Sequence, residues 1–157
     1  MYQKILVPLD GSEMAECVLP HVELLAQSCS TKEIVLLRIC EPLSVLADYP
    51  AGMPLSWEEH AKQITAYTQQ QCSLYLGDIE KRLKDAGLNV KSDARLGKAA
   101  DAIVSYAAEN EIDLIIMASH GRSGPSRWTY GSVADKVLRS TCVPLMIIRA
   151  PGCVPGF

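Results

Sequence analysis

The feature that most constrains this chain is a change of hydrophobic period that repeats along it. Ile5-Leu6-Val7-Pro8-Leu9, Ile34 to Cys40, Leu114 to Ala118 and Pro144 to Ile148 are short, nearly continuous apolar runs. A strand reads this way when both its faces are buried, as in a parallel sheet covered by helices on each side. Leu88 to Leu96 alternates instead, which predicts a third strand that is less buried.

Between these runs the apolar residues recur at helical spacing. Ala15, Val18, Leu19, Val22, Leu25, Ala26 and Cys29 form one stripe, with Ser12 at the N-cap position and Pro20 expected to bend the helix. A long helix is predicted from about Trp57 to Ala86, with Ile64, Tyr67, Tyr75, Ile79 and Leu83 on one side and Gly87 as its stop. Gly97 opens a helix carrying Ala100, Ile103, Val104 and Ala107. A last helix begins near Ser132, with Val133, Val137 and Leu138 predicted to face inward. The residues from Glu41 to Pro54, rich in proline, read as a loop, and Ser119 to Tyr130 as a polar, glycine-rich one. The order β-α-β-α-β-α-β-α-β implies an α/β fold with a parallel sheet and helices on both faces.

Length agrees with one domain. The chain has 157 residues, and we expect residues 1–150 to form the domain and 151–157 a loose tail. The net charge of -3 and the lack of any Lys/Arg cluster beyond Lys81-Arg82 argue against nucleic acid as a partner. No apolar stretch approaches the ~20 residues of a membrane span, and the N-terminus has no leader pattern, so a cytoplasmic location is expected. Six cysteines include no C-x-x-C pair. Several sit in apolar runs, so they are expected to be buried, reduced thiols, with Cys153 the most exposed.

Two segments have chemistry suited to the carboxyl ends of the strands, where open α/β sheets bind ligands. One is Asp10-Gly11-Ser12. The other is Ala118-Ser119-His120-Gly121, nine further residues, and Gly131-Ser132 at a helix start. Gly131-Ser132 there aims backbone N–H groups and the positive helix end at an anion. Gly121, Gly124, Arg122 and Arg127 would suit phosphates. Neither a Walker A loop nor a G-x-G-x-x-G is present, so the residues by themselves indicate an anion site without naming the anion. Each feature also has a structural reading. Asp10-Gly11-Ser12 makes a good strand-to-helix turn. Ser132 and Asp135 fit a capping box. His120, Arg122 and Arg127 fit solvated loop positions.

From residues 2 to 149 the chain resembles the universal stress protein family. The resemblance rests on Lys4 to Ser12, Asp113 to Gly121 and Gly131 to Leu138. The ATP-binding branch of that family carries Gly-x-x-Gly, nine residues, then Gly-Ser/Thr. Here the pattern is complete from Gly121 onward, and Ala118 replaces its first glycine. An alanine there would crowd a ligand if the position required positive φ.

The resemblance implies a Rossmann-like, adenine nucleotide alpha hydrolase-like fold with strand order 3-2-1-4-5. It implies ATP as ligand, with AMP or ADP as alternatives and Mg²⁺ accompanying the nucleotide. Pro8 and Leu9 would wall the base, with Asp10 and Ser12 beside the adenosine. Ile39 would offer backbone groups to the adenine edge. Met117 and Ala118 would lie against sugar and base. His120, Gly121, Arg122, Gly131, Ser132 and Val133 would hold phosphates or ribose. A homodimer would form through strand five, about residues 144–149, covering an apolar sheet edge.

Three functions follow from this reading. The first is an ATP-binding regulator or sensor in a stress response. The second is a slow ATP hydrolase or self-phosphorylating enzyme on the same site. The third is a partner-binding dimer without nucleotide. No Ser-His-Asp set and no placed carboxylate pair is readable, which favours the first.

Overall fold

The computed structural model describes residues 2–41, 55–120 and 131–149. The predicted features at 42–54, Gly121, Arg122, Gly124, Arg127, Cys153 and the tail lie outside those residues.

Five strands form one parallel sheet: β1 (Lys4–Pro8), β2 (Glu33–Cys40), β3 (Val90–Leu96), β4 (Leu114–Ala118) and β5 (Leu145–Ile148). Their order is β3-β2-β1-β4-β5, as the resemblance implied. Successive side chains of a strand point to opposite faces, and the core divides accordingly. Ile5, Val7, Ile34, Leu36, Leu114 and Ile116 pack on one face, against α1 (Glu13–Glu16), α2 (Leu19–Cys29) and α3 (Leu55–Asp85). Leu6, Val35, Leu37, Ile115 and Met117 pack on the other, against α4 (Ala99–Glu109) and α5 (Ser132–Ser140). Burial on both faces is what makes these strands continuously apolar. Each fully buried Leu or Ile contributes roughly 1.5–3 kcal/mol. β3 lies at an edge and is mostly half-buried or exposed, as its alternation predicted.

The Asp113 carboxylate fixes β4 beside β1 at their amino ends. It accepts the Gln3 N–H at 2.7 Å and the Lys4 N–H at 3.2 Å. The strand order reverses between β1 and β4, so the carboxyl ends of these two strands flank the switch point.

Four expectations about the helices and cysteines need correction. Pro20 does not bend one helix. It separates two, because proline has no N–H and its ring clashes with the carbonyl four residues back. α1 ends at Glu16, and Pro20 sits in the first turn of α2, where its missing donor costs nothing. On α3, Ile64 and Tyr67 are exposed, and the face on the sheet is Cys72, Leu76, Ile79 and Leu83 with Tyr75. Length explains this. A 31-residue helix spans about 46 Å, whereas the eight residues of β2 span about 26 Å. The amino-terminal turns of α3 therefore run past the sheet. On α5, Ala134 and Val137 are buried and Leu138 is exposed. Finally, Cys40 and Cys72 are not free thiols. They form a disulfide, with Cα atoms 6.7 Å apart. Cys17 and Cys29 are half-buried thiols, and Cys142 is exposed.

Two carboxylates tie neighbouring elements together, Glu33 across three strands and Glu80 from α3 to β3. Glu33 sits between Lys4 at 3.3 Å and Lys91 at 3.0 Å. Burial raises its pKa, but hydrogen bonds and charge from Lys91 and Lys4 outweigh that and hold it below the ordinary 4.5. Glu80 is likewise raised by burial and lowered further by Lys84 and Ser92. A depressed carboxylate pKa stabilises the fold above its unfolded value, and that stability is lost as pH falls through the folded value. The double variant Glu33→Gln/Glu80→Gln should therefore lose less stability than wild type between about pH 5 and pH 3. Urea midpoints across that range test this. Parallel curves for the two proteins would refute it.

Candidate functional site

A cavity of about 270 Å³ opens at the switch point. Pro8 at the end of β1, Leu9 after it, Leu37 and Ile39 of β2, and Met117 and Ala118 of β4 supply its apolar walls. Ala99 and Ile103 of α4 close one side, and Ser132, Val133 and Ala134 of α5 another. Ala15 of α1, with Asp10, Ser119, His120 and Gly131, completes the lining, and Asp10 is its carboxylate among the described residues. Its volume lies just below the usual range for small-molecule sites.

The turn after β1 is built by its own side chains. Asp10 Oδ1 accepts the Ser12 N–H at 2.9 Å and the Ser12 hydroxyl at 2.6 Å. Ser12 Oγ in turn accepts the Ala15 N–H at 3.2 Å, capping α1. Gly11 between them adopts φ +86°, which residues with a Cβ rarely take. Asp10 thus shapes the turn and also lines the cavity. Ser12 serves the turn and is not among the lining residues.

Arg38 supports this turn. A Cβ at Gly11 would lie 2.7 Å from an Arg38 guanidinium nitrogen. The guanidinium carbon stands 4.8 Å from the centroid of the Tyr75 ring, and the Tyr75 hydroxyl donates to Glu16 Oε1 at 3.0 Å. Burial, then the charge and hydrogen bond of Glu16, push the Tyr75 pKa well up, so the phenol remains a donor. Sequence reasoning passed over Arg38. The available signal was its place as the one charged residue inside the apolar run of β2.

On the other side of the cavity, the backbone of α5 meets the end of β4. The Gly131 N–H donates to the Ser119 carbonyl at 2.7 Å. A Cβ at Gly131 would lie 3.0 Å from that carbonyl oxygen and 3.5 Å from the His120 Cα. This glycine is required for close approach and not for its dihedrals, since its φ is -53°. The predicted capping box is absent. Gly131, not Ser132, is the N-cap, no side chain caps the helix among the described residues, and the Asp135 carboxylate pairs with Arg139 at 3.0 Å. The first turn of α5 thus borders the cavity with its positive end, which carries no side-chain cap among the described residues.

His120 is 5% exposed, which overturns the solvated-loop reading, and its Nδ1 lies 3.1 Å from Ser119 Oγ. Ala118 is a regular β4 residue paired with Ile148, and it is not among the residues with positive φ. Alanine there costs the backbone nothing.

Of the residues proposed from sequence, Pro8, Leu9, Asp10, Ile39, Met117, Ala118, His120, Gly131, Ser132 and Val133 are brought together around the cavity. Ala15, Leu37, Ala99, Ile103, Ser119 and Ala134 were missed. Ala99 and Ile103 are four apart on one helix and share a face, a periodicity equally consistent with plain core. Among the described residues no group of three metal-ligating side chains occurs, and no helix is long and apolar enough to cross a membrane.

Fold and cavity together define a doubly wound α/β protein with a cavity at its switch point. The sequence matches the universal stress protein family over residues 1–149, and the chain belongs to that family. It is 30% identical over 156 residues to universal stress protein MJ0577 of Methanocaldococcus jannaschii, covering 95% of this chain and 96% of that one. The solved structure of MJ0577 superposes with a TM-score of 0.82 at 28% identity, over 97% of this chain and 99% of that one. Two more distant structures share the fold. The Arabidopsis thaliana protein At3g01520, solved with AMP bound, has a TM-score of 0.63 at 14% identity, over 96% and 93% of the two chains. A universal stress protein in complex with cAMP has a TM-score of 0.61 at 19% identity, over 95% and 98%. The fold is the adenine nucleotide alpha hydrolase-like sheet that the resemblance implied.

Proposed function

We propose that this protein binds an adenine nucleotide, ATP foremost with AMP and ADP as competitors, and acts as a nucleotide-dependent regulator in a stress response. One observation carries this reading. The cavity joins an apolar slot, formed by the ends of β1, β2 and β4, to the positive amino end of α5, which begins at a glycine N-cap. A flat base fits the slot, and phosphates suit the helix end. Pro8, Leu9, Met117 and Ala118 hold the base and sugar, the Ile39 backbone faces the adenine edge, and Asp10 meets the ribose. His120, Gly131, Ser132 and Val133 hold phosphates or ribose, with Gly121 and Arg122 assigned to the same end from sequence. The AMP and cAMP complexes of the two distant relatives support an adenine nucleotide as the ligand class. Asp10 supplies a carboxylate to this site, so Mg²⁺ would be held chiefly by the phosphates it arrives with.

We assign dimerisation to β5. It lies at a sheet edge, pairs only with β4 among the described strands, and its four apolar residues are all half-buried. A second β5 would satisfy that edge. A cytoplasmic location accords with this role.

Calorimetric titration of nucleotide-free protein with ATP and Mg²⁺ tests the proposal. A Kd in roughly the micromolar range is expected. The absence of saturable heat, with the protein folded by circular dichroism, would overturn it. Phosphate release should be far slower than ligand exchange, and rapid multiple turnover would favour the hydrolase instead.

A further inference from the structure

We infer that Cys40 and Cys72 form a reversible thiol–disulfide clamp that governs the order of the amino-terminal half of α3. The inference does not depend on the nucleotide reading.

Side-chain alternation puts Leu36, Arg38 and Cys40 of β2 on the face that meets α3. Going down the antiparallel helix, Arg38 meets Tyr75 and Cys40 meets Cys72. Cys40 is the last residue of β2, so this contact lies where the sheet ends. Cys72 is also the first buried residue of α3 among its described side chains. From residue 58 to residue 71 no side chain is buried, and Tyr67 is 61% exposed. Gln69 reaches the Ala94 carbonyl at 3.4 Å, beyond the usual range of a good hydrogen bond. The Cys40–Cys72 bond is therefore the last buried contact of this helix with the sheet among the described side chains, on the side that holds the cavity. A helix half without a buried face draws little stability from its own hydrogen bonds. Its order depends on how firmly its base is held.

Both sulfurs are buried, with each residue 3% exposed. Exchange at them requires a local opening, which the weakly anchored overhang makes accessible. The chemistry needs an external small-molecule disulfide such as oxidised glutathione. One cysteine, as thiolate, attacks it, forming a mixed disulfide and expelling one glutathione thiolate. The second cysteine, as thiolate, then attacks the protein sulfur of that mixed disulfide, closing the Cys40–Cys72 bond and expelling the other glutathione thiolate. Two cysteine thiols are oxidised, one glutathione disulfide is reduced to two thiols, and the protons balance. Excess reduced glutathione drives the reverse.

The test is hydrogen exchange with mass spectrometry on the full chain, after equilibration in oxidised or reduced glutathione. Under oxidised buffer, peptide mapping should recover a Cys40–Cys72 crosslink, with Cys17, Cys29 and Cys142 outside it. On reduction, amides of residues 58–71 should lose protection by about tenfold or more, while β1 and β4 keep theirs. Cys72→Ala should show the reduced pattern in both buffers. If that variant does not fold, wild type in the two buffers decides alone. Failure to form the crosslink at any glutathione ratio would overturn the inference. So would a crosslink that leaves exchange at 58–71 unchanged.

Discussion

Replacing Gly131 with valine should weaken ATP binding by about a hundredfold or more while leaving the dimer intact. The reason is steric and local. The first added carbon would stand 3.0 Å from the Ser119 carbonyl oxygen, and that neighbour is backbone held by two strands. Ser119 also donates its N–H to Ile148 O at 2.7 Å, so it has little freedom to retreat. The start of α5 must move away from β4 instead. That stretches the 2.7 Å bond from the Gly131 N–H to the Ser119 carbonyl and shifts Ser132 and Val133 at the cavity wall. Overpacking of this kind costs about 1–3 kcal/mol, which a folded domain tolerates. β5 lies outside the disturbance, so self-association should persist. Alanine at the same place should give an intermediate affinity. Calorimetry and sedimentation velocity on the two variants read both quantities. Wild-type affinity in Gly131→Val would show that the phosphate end of the site lies elsewhere.

The second large effect is expected at the opposite wall. Gly11→Val should destabilise the protein by roughly 1.5–3 kcal/mol and weaken nucleotide binding with it. Two costs combine. A β-branched residue at φ +86° is strained by about 1–2 kcal/mol. Its Cβ would also lie 2.7 Å from the Arg38 guanidinium, which must leave the Tyr75 ring and forfeit about 0.5–1 kcal/mol. The two are separable. In a Gly11→Ala background, Arg38→Ala should recover the collision but not the dihedral strain. Urea denaturation of the single and double variants measures this. Full additivity of the two substitutions would remove the claimed contact between Arg38 and the turn.

These predictions rest on parts of the site with different legibility. Asp10, Gly11 and Ser12 could be read as a turn because each side chain acts on backbone within three residues of itself. Gly131 could be read only as a helix start. The reason it must be glycine is the Ser119 carbonyl, which comes from another element. The capping box failed for a related reason: Ser132 and Asp135 have the right spacing, but the close approach at Gly131 fixes the helix start one residue earlier in the cap frame. Ile64 and Tyr67 kept helical spacing with the core residues of α3, yet they lie beyond the end of the sheet and are exposed.

The sequence by itself determined the parallel sheet and its two helical layers, because burial on both faces demands continuous apolar strands and burial on one demands a striped helix. It also determined which strand ends carry the polar, glycine-bearing turns, since those residues act locally. Only the tertiary structure decided that Arg38 stacks between the first turn and Tyr75, that Ala99 and Ile103 join the cavity, and that Cys40 meets Cys72. Each of these pairs residues distant in the chain, and periodicity records which face a side chain takes but not what stands opposite it.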